Sequence, residues 1–190
     1  MNNATTRMWA GLAIAFFAIM IFLPAITSES VIAVLTLIMM FAFFGQAWNL
    51  MMGYVGQLSL GHGLYIGLGA YACAVSVGTF GLSPWLGILI GAVISAVVGA
   101  FVAWLGFRFA VKGIYFTLLT IAVAELGRLS FENWSFVGGN AGYFLRVAQD
   151  THPLLSLRGG TTFYYFCFLV LSILGFWGTA LLIRSRLGYF

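Results

Sequence analysis

Six long apolar runs constrain what this chain can fold into. A helix needs roughly 20 apolar residues to cross the hydrocarbon core of a bilayer. Hydrophobic residues make up 63% of the chain and charged residues 6%, which is not the composition of a soluble domain. The runs are continuous, whereas barrel strands alternate apolar and polar residues. We therefore predict an all-α integral membrane protein with about six transmembrane helices, over residues 8–26, 31–51, 60–78, 84–107, 113–131 and 162–183.

The basic residues predict how these helices are oriented. The first run is too long for a signal peptide and lacks a clear small-x-small cleavage site, so we interpret it as a retained helix. If the N-terminus is inside, alternating helices place five basic residues in the cytoplasm: Arg7, Arg108, Lys112, Arg184 and Arg186. Two others, Arg146 and Arg158, fall outside with Glu29, Glu132 and Asp150. The positive-inside rule therefore favours a cytoplasmic N-terminus.

The stretch "WNLMMGYVGQLSLGHGLYIGLGAYA" interrupts the apolar pattern. It combines uncharged polar side chains with six glycines, namely Asn49, Gln57, Ser59 and His62 with Gly53, Gly56, Gly61, Gly63, Gly67 and Gly69. Glycines let membrane helices pack closely, as in the small-xxx-small spacing of Gly63 and Gly67, or they permit a break in a helix. Freed backbone groups are tolerated at membrane depth only beside protein or a wet cavity. We predict a helix break or re-entrant bend from Tyr54 to His62 beside a translocation path, with close packing alone as the alternative.

His62 is not expected to bind a metal. Neither a cysteine nor a second histidine lies near it in the sequence, so a hydrogen-bonded structural role is favoured over a ligand or a proton relay, and no cofactor is expected. Cys73 and Cys167 each stand alone in apolar runs and are interpreted as small core residues. The eight basic residues are scattered along the chain, which argues against binding to nucleic acid.

A charged cluster lies within the fifth apolar run, in "AELGRLSFENW". Glu125 precedes Arg128 by three residues and Arg128 precedes Glu132 by four, so the three share one face of a helix. Glu125 lies about 18 Å into a segment that begins near Gly113. A carboxylate at that depth is costly unless it is paired. We predict that Glu125 and Arg128 form a buried ion pair that faces the interior of the bundle, with a structural role favoured over a place on the path.

Two separate blocks resemble one permease family. The block "NLMMGYVGQLSLGHGLYIGLGAYA" resembles the N-L-x-x-G-Y-x-G-Q-x-S-x-G-H signature of LivM/LivH-type permeases of high-affinity branched-chain amino acid ABC transporters, and the LivM side in particular. The block "GIYFTLLTIAVAELGRLSFENWSFVGGNAGYF" resembles the second block of that family, and it places Gly138, Gly139 and Gly142 in an external loop. The resemblance covers essentially all of residues 1–190 and implies that they are part of a permease domain.

The resemblance implies an ATP-driven importer of leucine, isoleucine and valine, with urea or other amino acids as alternative substrates. The implied partners are a second permease that shares the path, two cytoplasmic ATPases and an external substrate-binding protein. The implied location is the cytoplasmic membrane of a bacterium or archaeon, in contact with lipid. Lys112 is the only lysine, so the chain has no G-x-x-x-x-G-K-[ST] phosphate loop and is not expected to be an enzyme. Family members continue into a cytoplasmic coupling segment, so the 190 residues alone are not expected to support uptake.

Two other classes of function remain open on the residues themselves. A channel or secondary transporter could use the same broken helix, although no inverted repeat is visible. A non-transporting membrane scaffold could use the glycine packing alone. Flux measured with and without ATPase subunits distinguishes these alternatives from the importer.

Overall fold

The computed structural model describes residues 3–145, 157 and 159–184, with side chains for 11–145, 157 and 159–182. These residues form six α-helices and no strand: α1 Asn3–Phe22, α2 Glu29–Asn49, α3 His62–Gly78, α4 Pro84–Arg108, α5 Ile114–Asn133 and α6 Thr161–Arg184. The all-helical prediction is confirmed for this part of the chain. Four residues used to predict the orientation lie outside the described residues: Arg146, Asp150, Arg158 and Arg186.

Four helical segments are long and apolar enough to cross a membrane: Glu29–Tyr54, Pro84–Arg108, Ile114–Asn133 and Thr161–Leu182. The first predicted span corresponds to α1, which has 20 residues, Asn3–Phe22; the part with described side chains belongs to the apolar helical segment Gly11–Ala25. The third corresponds to α3, which has 17 residues because the chain becomes helical only at His62. Helix α3 is shorter than the roughly 20 residues of a full span. Four segments are therefore candidate spans, and six transmembrane helices remain a prediction.

Helices α1, α2 and α6 belong to one compact unit. Its buried core comes from α2 and α6: Ile32, Met39, Tyr165 and Leu169. The Tyr165 hydroxyl donates a hydrogen bond to the carbonyl oxygen of Met20 at 2.7 Å. The Ser172 hydroxyl donates to the carbonyl oxygen of Met39 at 3.3 Å. These bonds between helices satisfy polar side chains in an apolar environment.

Helices α3, α4 and α5 belong to the second unit, in which α3 and α4 approach closely. A Cβ atom built on Gly91 would lie 2.6 Å from the carbonyl oxygen of Gly69, so only hydrogen fits at this crossing. The Ser95 hydroxyl of α4 donates to the carbonyl oxygen of Tyr65 at 2.8 Å. Small residues at the contact and an interhelical hydrogen bond are typical of membrane helix pairs.

The ends of α4 and α5 follow from local sequence. Helix α4 begins with Pro84, and the Ser83 side chain before it accepts a hydrogen bond from the backbone N–H of Leu86, as expected of an N-cap. The turn into α5 passes through Gly113, whose φ of 57° lies in the left-handed region that favours glycine. This turn directs α5 back against α4 and toward α3.

Candidate functional site

The predicted interruption of helical structure lies in the glycine-rich stretch. Helix α2 ends at Asn49, a π-helical turn spans Leu50–Tyr54, and residues 55–61, which we call the break, are not helical. Gly53 lies in the π-helical turn, and Gly56 has a φ of 68°. A π-helical turn is often found at functional sites. The position of the break relative to a membrane stays a prediction.

Two threonines of α5 hold the break in place. The Thr117 hydroxyl donates to the carbonyl oxygen of Leu58 at 2.8 Å. The backbone N–H of Leu60 donates to the Thr120 hydroxyl oxygen at 3.2 Å. Both threonines are buried. Backbone groups that helix formation would have satisfied are thus satisfied by side chains of the neighbouring helix.

Gly61 brings the backbone of the break against α5. A Cβ atom built on Gly61 would lie 2.6 Å from the carbonyl oxygen of Thr120. Gly61 was among the site residues predicted from the sequence, whereas Thr117 and Thr120 were not. Their spacing could have indicated a polar contact, since two threonines three residues apart in an apolar helix lie on one face.

Removing the Thr117 hydroxyl is expected to destabilise the break. Thr117→Val preserves the shape of the side chain but leaves the Leu58 carbonyl without this donor, at a cost of about 1–3 kcal/mol. The matched control is Thr36→Val, because the Thr36 hydroxyl donates only within its own helix, to Ile32 at 2.8 Å. Thermal unfolding of the purified protein in detergent should show a lower midpoint for Thr117→Val alone. Equal midpoints for the two variants would contradict this role.

The polar side chains of the break and of His62, the first residue of α3, occupy different environments. Ser59 is 1% exposed and His62 is half-buried, with its ring edge-on to Tyr65 at a centroid distance of 6.2 Å. Gln57 Oε1 and His62 Nδ1 are buried and make no hydrogen bond within the described part of the chain. Such atoms carry a desolvation cost that a hydrogen-bond partner would relieve. The break and the start of α3 therefore have unused hydrogen-bonding capacity at Gln57 Oε1 and His62 Nδ1.

A groove of about 460 Å³ lies between α3 and α5. It is lined by side chains or backbone from the break and α3, namely Leu60, Gly63, Leu64, Gly67, Leu68 and Tyr71, and from α5 by Ile121, Ala124, Glu125, Gly127, Arg128, Phe131 and Glu132. Gly139 from the following loop completes the lining. The spacing of three and four residues on each helix places these groups on one face. Neither Asn49, Gln57, Ser59 nor His62 lines the groove.

Gly63 and Gly67 line open space instead of packing against another helix. A Cβ atom built on either glycine would meet no atom within 4 Å. The small-xxx-small spacing therefore does not mark a close helix contact in this unit. The close contacts of α3 lie elsewhere, and Gly69 is one of them, since a Cβ there would lie 3.3 Å from Ser95 Oγ. The two glycines widen the groove because they add no side chain to it.

Glu125, Arg128 and Glu132 form a charged triad on the wall of the groove. Arg128 Nε donates to Glu125 Oε2 at 3.0 Å and Arg128 Nη2 donates to Glu125 Oε1 at 2.5 Å. Arg128 Nη1 donates to Glu132 Oε1. The predicted pairing is present, but the prediction of burial is wrong for this chain, since the Glu125 and Arg128 side chains are each 53% exposed. The reason is that the triad lies on the face of α5 that borders the groove and is not covered by α3 or α4.

The three loop glycines shape a compact segment after α5. Short 3₁₀ turns span Ser135–Val137 and Gly139–Ala141. Gly138 and Gly142 have φ values of 89° and 78°, so the chain reverses twice at positions that only glycine adopts readily. The Tyr143 hydroxyl then lies 2.8 Å from Thr79 Oγ1 at the end of α3. This hydrogen bond anchors the loop to the same unit that carries the groove.

The described residues contain no candidate metal-binding cluster. No group of three or more His, Cys, Asp or Glu side chains is arranged to hold an ion there. Cys73 and Cys167 are free, half-buried thiols.

Comparison with known proteins relates this architecture to one family. The family described as "Branched-chain amino acid transport system / permease component" matches residues 30–190. The high-affinity branched-chain amino acid transport system permease protein LivM of Escherichia coli (strain K12) is 27% identical over 143 residues, which cover 75% of this chain and 32% of the relative. LivM of Salmonella typhimurium is 27% identical over 142 residues, covering 74% and 32%.

The chain spans about a third of the length of these curated relatives. No solved structure matches it. The family match nevertheless extends over most of the chain and includes the break, the groove and the triad. With its apolar helices, the chain is a multi-pass membrane protein, and it belongs to the family of permease components of branched-chain amino acid transport systems.

Proposed function

We propose that this chain is part of a transmembrane permease subunit of an ATP-driven importer of leucine, isoleucine and valine. The observation that carries the proposal is the family match over residues 30–190. The two relatives are described as permease proteins of a high-affinity branched-chain amino acid transport system. The triad and the break support it, because charges and freed backbone groups in a membrane helix are kept where they serve a pathway or a cavity.

The proposal includes partners and an orientation. A second permease would share the path, two cytoplasmic ATPases would supply the energy, and an external binding protein would deliver the substrate. The N-terminus would lie on the cytoplasmic side of the membrane, and Arg108 and Lys112 would lie on the same side. ATP hydrolysis would take place on the ATPases, since the sequence has no phosphate loop.

We propose that the break and two nearby residues, Asn49 and His62, line the translocation path. Gln57 and His62 present polar atoms without partners in the described residues, and such uncharged groups can satisfy a zwitterion in passage without trapping it. Asn49 and Ser59 are included in this proposal on their place in the same stretch of sequence. Gln57→Leu is the variant that tests the path and should lower L-leucine uptake, whereas the control Thr36→Val on α2, whose hydroxyl bonds within its own helix, should leave uptake unchanged.

Uptake in a reconstituted system tests the function. The protein containing this chain, inserted in proteoliposomes with its candidate partners, is expected to accumulate radiolabelled L-leucine only when ATP and the binding protein are supplied. Omitting the ATPases, or inactivating them, should abolish accumulation. L-leucine flux that persists without the ATPases would indicate a channel or secondary transporter and would overturn the proposal. Absence of any flux would favour a scaffold.

A further inference from the structure

We propose that the groove between α3 and α5 binds a free α-amino acid with an aliphatic side chain, with the triad recognising its ammonium and carboxylate groups. This inference rests on the proposed function and adds a location and a mode of recognition to it. The observation behind it is that one cavity, within one unit, has an aliphatic wall and is also lined by positively and negatively charged side chains.

The size and lining of the groove suit such a ligand. Its volume of about 460 Å³ lies in the range of roughly 300–1,000 Å³ found for small-molecule sites. Leu60, Leu64, Leu68 and Ile121 supply an aliphatic wall. An aliphatic side chain placed against it would be removed from water, at a gain of roughly 25 cal/mol for each Å² of apolar surface buried.

The triad offers a counterpart for each end of a zwitterion. Arginine has five N–H donors, and the bonds to Glu125 and Glu132 use three of them, one on Nε, one on Nη1 and one on Nη2. The remaining donors, one on each terminal nitrogen, can receive a carboxylate while the triad stays intact. With two carboxylates and one guanidinium, the triad has a net charge of −1, which attracts an ammonium group.

The exposure of the triad is consistent with a ligand site. A structural ion pair in an apolar helix would be expected to lie against a neighbouring helix, yet Glu125 and Arg128 are half exposed beside the groove. A purely apolar segment lying in the groove would leave the net charge of the triad and the two remaining Arg128 donors without a counterpart, whereas a zwitterion would supply one for each. The chemistry therefore favours a small zwitterion as the occupant.

Weak binding to the purified chain in lipid nanodiscs can be measured by saturation-transfer NMR. L-leucine is compared with 4-methylpentanoate, which lacks the ammonium group, and with 3-methylbutylamine, which lacks the carboxylate. Loss of a charge-assisted contact is expected to weaken binding about tenfold or more for each analogue. Binding of either analogue as tight as that of L-leucine would overturn the proposed recognition.

Filling the groove tests the location. Gly67→Leu adds a side chain where a Cβ meets no atom within 4 Å, so the helix should fold normally while the cavity is occupied. Gly63→Leu is a second variant of the same kind, and Gly178→Leu on α6 is the matched control, because its added Cβ also meets no atom within 4 Å. Both groove variants should lose the L-leucine signal and the control should keep it. Retention by a folded groove variant would place the ligand elsewhere.

The two proposals can fail separately. ATP-driven L-leucine uptake by the reconstituted system, without L-leucine binding in the groove, would refute this site and leave the importer function standing. L-leucine binding that is lost in Gly67→Leu, without uptake in the presence of partners, would support the site and refute the importer function.

Discussion

Replacing Arg128 with leucine is expected to remove most of the folded protein from the membrane. The guanidinium is bonded to both Glu125 and Glu132. Without it, two carboxylates remain on one face of a helix that is apolar enough to cross a bilayer, with no cation between them. Uncompensated carboxylates in a membrane helix are strongly unfavourable. The measurement is the amount of monodisperse protein recovered by size-exclusion chromatography after extraction in mild detergent.

Neutral replacements of the whole triad provide the control. The triple variant Glu125→Leu, Arg128→Leu, Glu132→Leu should recover much of the yield, because no lone charge is left. The double variant Glu125→Leu, Arg128→Leu, which keeps Glu132, should give a yield between those of the single and triple variants. The sequence predicted the pair alone, whereas the structure adds Glu132 as a third member and so changes which variant restores folding. Equal yields for the single and triple variants would show that the triad does not contribute to folding.

Gly91→Ala is expected to destabilise the packing of α3 against α4 in the second unit. The new Cβ would lie 2.6 Å from the carbonyl oxygen of Gly69 and 3.2 Å from its Cα. These are backbone atoms, so α3 and α4 would have to separate, and overpacking of this kind costs about 1–3 kcal/mol. Loss of this packing should outweigh the gain in helix propensity from alanine, about 1 kcal/mol. The apparent thermal unfolding midpoint in detergent should fall.

The matched control for Gly91 lies on the same helix. A Cβ built on Gly99 would meet Tyr65 Cε1 at 3.6 Å, an ordinary contact. Gly99→Ala should therefore keep or raise the midpoint. If both variants behave alike, the close crossing of α3 and α4 does not limit stability.

Periodicity and composition predicted most of the architecture. Runs of apolar residues located the six helices of the described residues because a helix that faces lipid has no polar stripe to obscure its length. The runs placed the start of α3 two residues early, at residue 60, because Leu60 and Gly61 continue the apolar pattern while their backbone belongs to the break. The helix starts at His62 because Gly61 is held against Thr120 by tertiary contact.

The candidate site was only partly visible in the sequence. The spacing of Glu125, Arg128 and Glu132 predicted their common face correctly, since it depends on helix geometry alone. Their exposure depends on where α3 and α4 pack, which spacing does not determine. For the same reason, the spacing of Gly63 and Gly67 could not distinguish a helix contact from the wall of a groove. Whether the glycines form a helix contact or a groove wall depends on the position of the neighbouring helix.

Helix α5 joins two features that are usually considered apart. Thr117 and Thr120 bind the break near its start, and the triad lies two to four turns farther along the same helix. A tilt of α5 away from α3 would therefore lengthen the Thr117–Leu58 hydrogen bond and widen the groove in one movement. The break and the groove therefore share one structural element, so any displacement of α5 changes both.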